Sequence, residues 1–144
     1  LDSQKLLRKI KNLGIEKNVI LFPFMDKEKL AIFLQKLDVY VIPSFQEGLC
    51  IAGMEAMACG CPVITTKCGG PEDYVFSEFN GYVVNYDSKE ISKKIINICS
   101  DRDFRNKLSK NGIKWINENA TYESNKELFL EQILFTFPGL DIKY

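Results

Sequence analysis

From Ser3 to Leu13 the apolar residues fall at Leu6, Leu7, Ile10 and Leu13, the spacing of a helix with one apolar face, and Gly14 is a natural stop. The period then changes. Val19 to Phe24 is a short apolar run that predicts a strand, and Asp26 can cap a helix reaching Leu37, with Leu30, Phe33, Leu34 and Leu37 inward. Asp38 to Pro43 has the unbroken apolar centre of a strand covered on both faces. A helix from about Leu49 to Cys59 and a buried strand from Pro62 to Thr66 follow, with proline confined to the strand's first position. Gly69-Gly70-Pro71 turns into a short helix over 71–76, and Asn80-Gly81 turns into a strand at Tyr82 to Asn85. Asp87 or Ser88 caps a helix to about Ser100, whose apolar side is Ile91, Ile95, Ile96 and Ile98. Asp101 opens another to about Asn119, and a last one over 121–137 ends at Pro138-Gly139.

Strand and helix alternate, which implies an α/β fold: parallel strands, right-handed crossovers and helices on both faces of a doubly wound, Rossmann-like sheet. Neither a repeat nor a linker interrupts it, so residues 1–137 read as one domain and 138–144 as a tail. In such a sheet ligands sit beyond the C-terminal ends of the strands. Three segments fall there: Phe22 to Asp26, Pro43 to Cys50 and Thr65 to Glu72.

Composition narrows the function. The 144 residues carry 46% hydrophobic content, enough for one ordinary core. Lys plus Arg equal Asp plus Glu at 19 each, so no basic field recruits nucleic acid or anionic lipid. No apolar stretch reaches the length of a membrane span, and the first residues lack a signal peptide's apolar centre. The five cysteines (50, 59, 61, 68 and 99) show no CxxC spacing and the chain has no histidine, so the thiols read as buried and reduced rather than as zinc ligands or disulfides. A cytoplasmic location follows.

Candidate chemistry concentrates between Pro43 and Thr66. From Gly48 to Gly60 every residue except Glu55 is apolar or small, which predicts a helix buried on nearly all sides. A carboxylate in that setting requires a donor or a wet cleft, and no Lys or Arg lies three or four residues away to supply one. Gly48, lacking a Cβ, lets a ligand approach the free amides of Leu49, Cys50 and Ile51, where the helix dipole favours an anion. Glu47 at the strand-to-helix junction adds a second acid. Two carboxylates around a phosphate-friendly helix start suit a nucleotide sugar. The plainer readings are a dipole partner for Glu47 and a paired charge at a domain contact for Glu55. Gly69-Gly70 is a turn first and a second anion site next. Glu72 reads as a dipole partner, Lys67 as a solvated surface charge, and Phe22 and Phe24 as core aromatics.

The run EGLCIAGMEAMACGCPVITT, followed by GGPEDYV and NGYVV, resembles the donor-binding signature of the family 4 glycosyltransferases, retaining enzymes of the GT-B fold. The resemblance implies that the chain is one incomplete half of a GT-B enzyme, and that Glu47 contacts the transferred sugar while Glu55 holds the ribose hydroxyls. It places Gly48, Leu49 and Cys50 at the helix start that meets the diphosphate or sugar, and Pro23 and Phe24 beside the nucleobase. Gly69 and Gly70 join the donor-binding set. Leu49-Cys50 departs from the family's commoner aromatic and glycine, which alters the sugar pocket.

What the resemblance implies for function is transfer of a sugar from a nucleoside diphosphate sugar to a glycan, lipid or other acceptor, with anomeric configuration kept. Glu47 is then the catalytic residue, and neither a metal nor another cofactor is called for. The partners are the nucleotide sugar donor and an N-terminal acceptor-binding domain that is not in this chain; peripheral membrane association through that domain stays open. A Gly-Arg segment and a lysine that neutralise the donor diphosphate in the family are also missing, so the chain alone is expected to bind donor weakly and to transfer no sugar. Two alternatives stay open: a non-catalytic Rossmann-like binding or assembly module, and a GT-B relative of the sugar-nucleotide epimerases.

Overall fold

Val63, Ile64, Thr65 and Thr66 have no more than 1% of their surface exposed, and the larger part of the fold is arranged around the strand they form. The structure is a computed structural model that describes residues 3–126, and the chain divides into two compact units, 1–30 and 31–144.

In the first unit the helix predicted from its apolar spacing is present as α1, Ser3–Asn12. It stops where the sequence says it should. Gly14 takes a φ of 65°, and the amides of Leu13, Gly14 and Ile15 donate back to the carbonyls of Lys9, Lys11 and Ile10. The strand expected over Val19 to Phe24 is not formed: residues 19–26 are irregular, Phe22 is half exposed and Phe24 is 97% exposed. An apolar run favours extended backbone, but a strand exists only where a neighbour takes its N–H and C=O groups. The assignment of both phenylalanines to the core is corrected with it.

Asp26 caps α2, Lys27–Leu34, its Oδ1 accepting the Lys29 amide at 2.9 Å and its Oδ2 pairing with the Lys29 ammonium at 2.7 Å. The helix ends at Leu34 rather than Leu37, because the amides of Lys36 and Leu37 switch to the carbonyls of Phe33 and Leu34, tightening the last turn.

In the second unit three strands, β1 (Tyr40–Ile42), β2 (Val63–Thr66) and β3 (Gly81–Val84), pair in parallel in that order, with Tyr40 opposite Val63 and Ile64 opposite Tyr82. α3 (Ile51–Ala58) joins β1 to β2, and α4 (Ser88–Ser100) and α5 (Arg102–Asn119) follow β3. Alternation along the strands splits their side chains between two faces. Ile64, Tyr82 and Val84 pack with Ile98 of α4 and Leu108 of α5, while Ile42 points the other way, its Cδ1 against Gly53 of α3. Helices therefore cover both faces, as expected. Farther along α5, Gly112 lies against the Met57 side chain and so ties the two helical layers together.

Asp87, not Ser88, caps α4, accepting the amides of Lys89 (2.7 Å) and Glu90 (2.9 Å), and Asp101 caps α5 through the Phe104 amide at 2.9 Å. Ile98 is buried and Ile91 and Ile95 half-buried, but Ile96 is exposed, since at 3.6 residues per turn it lies on the opposite flank. Cys61 and Cys68 are buried as expected, whereas Cys50 and Cys59 are half-buried and Cys99 is exposed, which corrects the expectation for those three thiols. β1 is half-buried at Tyr40 and Val41 rather than covered on both faces.

The helix expected over 71–76 is a single 3-10 turn, Gly70–Asp73. Fully buried Asn80 stops it from continuing: its Oδ1 takes the Phe76 amide at 2.7 Å and its Nδ2 donates to the Tyr74 carbonyl at 2.9 Å. Residues 122–126 are helical, the start of the predicted last helix; residues 127–137 and the tail 138–144 lie outside the described residues. Among the described residues no helix is long and apolar enough to cross a membrane.

Candidate functional site

Two of the three predicted ligand segments meet at the C-terminal edge of the sheet. The chain leaving β1 and the chain leaving β2 run side by side, the Glu47 amide donating to the Cys68 carbonyl at 2.7 Å and Glu47 pairing with Gly69 in an isolated parallel bridge. The approach is close. A Cβ added to Gly70 would lie 1.8 Å from the Gly48 carbonyl oxygen and 2.8 Å from the Leu49 Cα, so only glycine fits there. Gly69, at φ 108°, occupies backbone space that side chains rarely adopt. The double glycine is thus explained first by backbone geometry. Glu72 completes the turn by accepting the Gly69 amide at 3.0 Å, a capping role beside its place in the first turn.

Gly48 differs. It is exposed, and a Cβ placed on it would meet nothing within 4 Å, so the fold itself does not require glycine at this position.

Glu47 is half-buried and held. The Ser44 hydroxyl donates to Glu47 Oε1 at 2.5 Å, and Ser44 is itself fixed by a short hydrogen bond from the Thr66 hydroxyl to its carbonyl oxygen. The buried strand β2 thus fixes the backbone of Ser44, whose side chain in turn holds the carboxylate. Sequence reading missed Ser44 and Thr66; the one available signal was a hydroxyl residue three positions before the acid.

The helix start departs from expectation in a useful way. Cys50 is the residue before the first turn, in the left-handed region at φ 53° and ψ 65°, and no side chain caps α3. The first-turn amides are therefore those of Ile51 and Ala52, since the Gly53 amide already donates to the Cys50 carbonyl at 2.9 Å. Leu49 and Cys50 precede the helix rather than open it.

Glu55 requires the larger correction. α3 buries Gly53, Ala56 and Met57 and exposes Ile51, Ala52, Glu55 and Ala58, so it is covered on one face and not nearly all round. Small residues fooled the pattern: alanine and glycine can line an open face as readily as a closed one. Glu55 is exposed, and among the described residues it makes no ion pair. It opens instead onto a hollow of about 340 Å³ lined by Leu49, Ile51, Met54, Ala58, Ile116 and Ala120. The desolvation argument for a guest hydroxyl at Glu55 falls away; water and room for a ligand remain. Pro23 and Phe24 lie in the first unit, both exposed.

The electrostatics agree with a shared neighbourhood for the two acids. The Tyr40 hydroxyl is pushed up, by burial first and then by the neighbouring acidic groups Cys50, Glu55, Cys61 and Glu47, so one half-buried phenol feels both carboxylates. Cys59 is raised by burial and then by Glu55 one turn before it. No group of three His, Cys, Asp or Glu among the described residues is placed to hold a metal ion.

A short parallel sheet with helices on both faces, two glycine-bearing loops paired at its C-terminal edge and an uncapped helix following the first of them define an α/β domain of Rossmann-like form. The chain belongs to the family of glycosyl transferases group 1, whose sequence profile matches residues 2–115. It is 30% identical over 112 residues to an uncharacterized glycosyltransferase, MJ1178, of Methanocaldococcus jannaschii, a match that covers 75% of this chain and 32% of that protein. Among solved structures it is similar to the sucrose-phosphate synthase from Thermosynechococcus elongatus, with a TM-score of 0.83 and 27% identity over 92% of this chain and 34% of the other. Anabaena HepE, solved in complex with UDP and glucose, shares the fold with a TM-score of 0.83 at 22% identity, over 91% of this chain and 36% of that one. The fold is that of GT-B glycosyltransferase domains, and the chain spans about a third of the length of each of these three proteins.

Proposed function

We propose that this chain forms the donor-binding part of a glycosyltransferase that moves a sugar from a nucleoside diphosphate sugar to a glycan, lipid or other acceptor, with retention of anomeric configuration. Family membership supports the reaction class, and the span of about a third of its relatives supports a division of labour with an acceptor-binding domain. The single observation that carries the reading is the meeting of the two loops around the bare start of α3, with Glu47 held at its mouth.

In this reading the amides of Ile51 and Ala52, with the helix dipole behind them, receive the donor diphosphate. They oppose the charge that grows on the departing phosphate as the sugar leaves, which is where oriented donors act most strongly. Gly48 leaves the approach open. Ser44 occupies one oxygen of Glu47, so the other is aimed at the sugar, to orient it or to ease its positive charge. Glu55, on the open face of α3, takes the ribose hydroxyls. Leu49 and Cys50 shape the sugar end, and Gly69 and Gly70 back the diphosphate.

The test separates the two acids. In the full-length enzyme Glu47→Gln lowers turnover with little change in nucleotide affinity, whereas Glu55→Gln weakens nucleotide binding by about 1.5 to 3 kcal/mol, the worth of a hydrogen bond to a charged group. Steady-state kinetics and a calorimetric nucleotide titration read the two effects. Equal nucleotide affinity in wild type and Glu55→Gln ends the ribose assignment.

A further inference from the structure

Tyr74 is 1% exposed, yet its hydroxyl does not end in the core: it donates to the Cys50 carbonyl oxygen at 2.9 Å. Cys50 is in the left-handed backbone region, at φ 53°, which a residue with a Cβ adopts only under strain. The residue under strain and the residue anchored from below are the same.

Space for the anchor is itself built in. A Cβ on Gly53 would sit 2.3 Å from the Tyr74 hydroxyl and 2.7 Å from Ile42 Cδ1, so the second residue after the α3 start must lack a side chain for the phenol to reach across. Gly53 has no positive φ among the glycines that do, which leaves this close approach as its reason. The Cys50 carbonyl also accepts the Gly53 amide at 2.9 Å and so uses both lone pairs.

We infer that Tyr74 is a positioning residue, a latch that holds Cys50 left-handed and thereby aims the Ile51 and Ala52 amides at the donor diphosphate. It touches no substrate. The inference rests on the donor-binding reading for its consequence, but the latch itself is a property of the turn. Glycine at position 50 would take the same backbone without strain, so Cys50→Gly makes the latch dispensable.

The experiment uses the full chain with UDP and inorganic pyrophosphate as probes. Tyr74→Phe keeps the ring and removes the hydroxyl; both probes bind about 3- to 10-fold more weakly, the fold-change of one neutral hydrogen bond, and adding Cys50→Gly restores most of the loss. A merely structural role lowers the melting temperature without that rescue of affinity. If Tyr74→Phe binds both probes as wild type does, or if the double variant stays as weak as Tyr74→Phe, the latch is overturned. Should neither probe bind the wild type, the donor reading fails instead. The latch is then decided by the strong intraresidue amide-to-Hα NOE that a left-handed Cys50 gives, which weakens in Tyr74→Phe if the latch is real and is unchanged if it is not.

Discussion

Gly70→Ala puts a methyl group where the backbone of the neighbouring loop already stands. The added Cβ would lie 1.8 Å from the Gly48 carbonyl oxygen, 2.6 Å from its carbon and 2.8 Å from the Leu49 Cα, all main-chain atoms with no rotamer to change. The loops must part. Overpacking of this kind costs about 1–3 kcal/mol, and parting them breaks the Glu47 amide bond to the Cys68 carbonyl, worth about 1 kcal/mol more. The expected loss is therefore about 2–4 kcal/mol, a large fraction of the ~5–15 kcal/mol that holds a domain of this size. Urea unfolding of wild type and variant measures it, with unchanged m-values as the check that the two denatured states match. Gly48→Ala is the matched control. With open space around its Cβ, it changes stability by less than about 0.5 kcal/mol, yet weakens nucleotide binding if a ligand uses that approach. A Gly70→Ala protein as stable as wild type would refute the claim that backbone crowding, rather than ligand contact, explains this glycine.

Two further perturbations report on the interior. Asn80→Ala removes both hydrogen bonds of a fully buried amide and strands the Phe76 amide and the Tyr74 carbonyl; a loss of about 2–4 kcal/mol in denaturant unfolding is expected, and a loss under 1 kcal/mol would mean that water replaces the side chain. The Cys61 thiol is pushed up to about 12 from 9.0, by burial first and then by the charges of Asp38 and Cys59. It stays protonated in the fold and ionises on unfolding, so its contribution is fully present below about pH 9 and is lost as pH rises towards 12, at up to ~1.4 kcal/mol per pH unit. The interval from pH 9 to 10 precedes the tyrosines, and a stability that does not fall there, or that falls equally in Cys61→Ala, refutes the assignment.

Periodicity over ten or more residues was legible. α1, α4 and α5 stand close to where the apolar spacing and the Gly14, Asp87 and Asp101 signals put them, because each is decided by local rules: one face, one cap, one stop. Short apolar runs were not. Val19 to Phe24 and Tyr40 to Ile42 read alike in sequence, but only the second has a strand beside it to complete its hydrogen bonds. Which loops meet at the sheet edge was legible, and the environment of each residue was not. The strand-end rule put the segments holding Glu47, Gly48, Gly69 and Gly70 at one sheet edge, where they meet, whereas the exposure of Glu55 depended on which flank of α3 the sheet would cover, and alanine and glycine carry no signal for that. Tyr74 was silent because its partner is a carbonyl oxygen, which every residue has.

Strand order in the second unit equals chain order. Each strand docks beside the one made just before it, and the crossovers, over 43–62 and 67–80, close short loops at a modest entropic toll that grows only slowly with length. Among the described strands, none is threaded between two that already exist. The ladder can therefore zip in one direction, β1 to β2 to β3, and refolding after a denaturant jump should be quicker than in parallel sheets whose central strand arrives last.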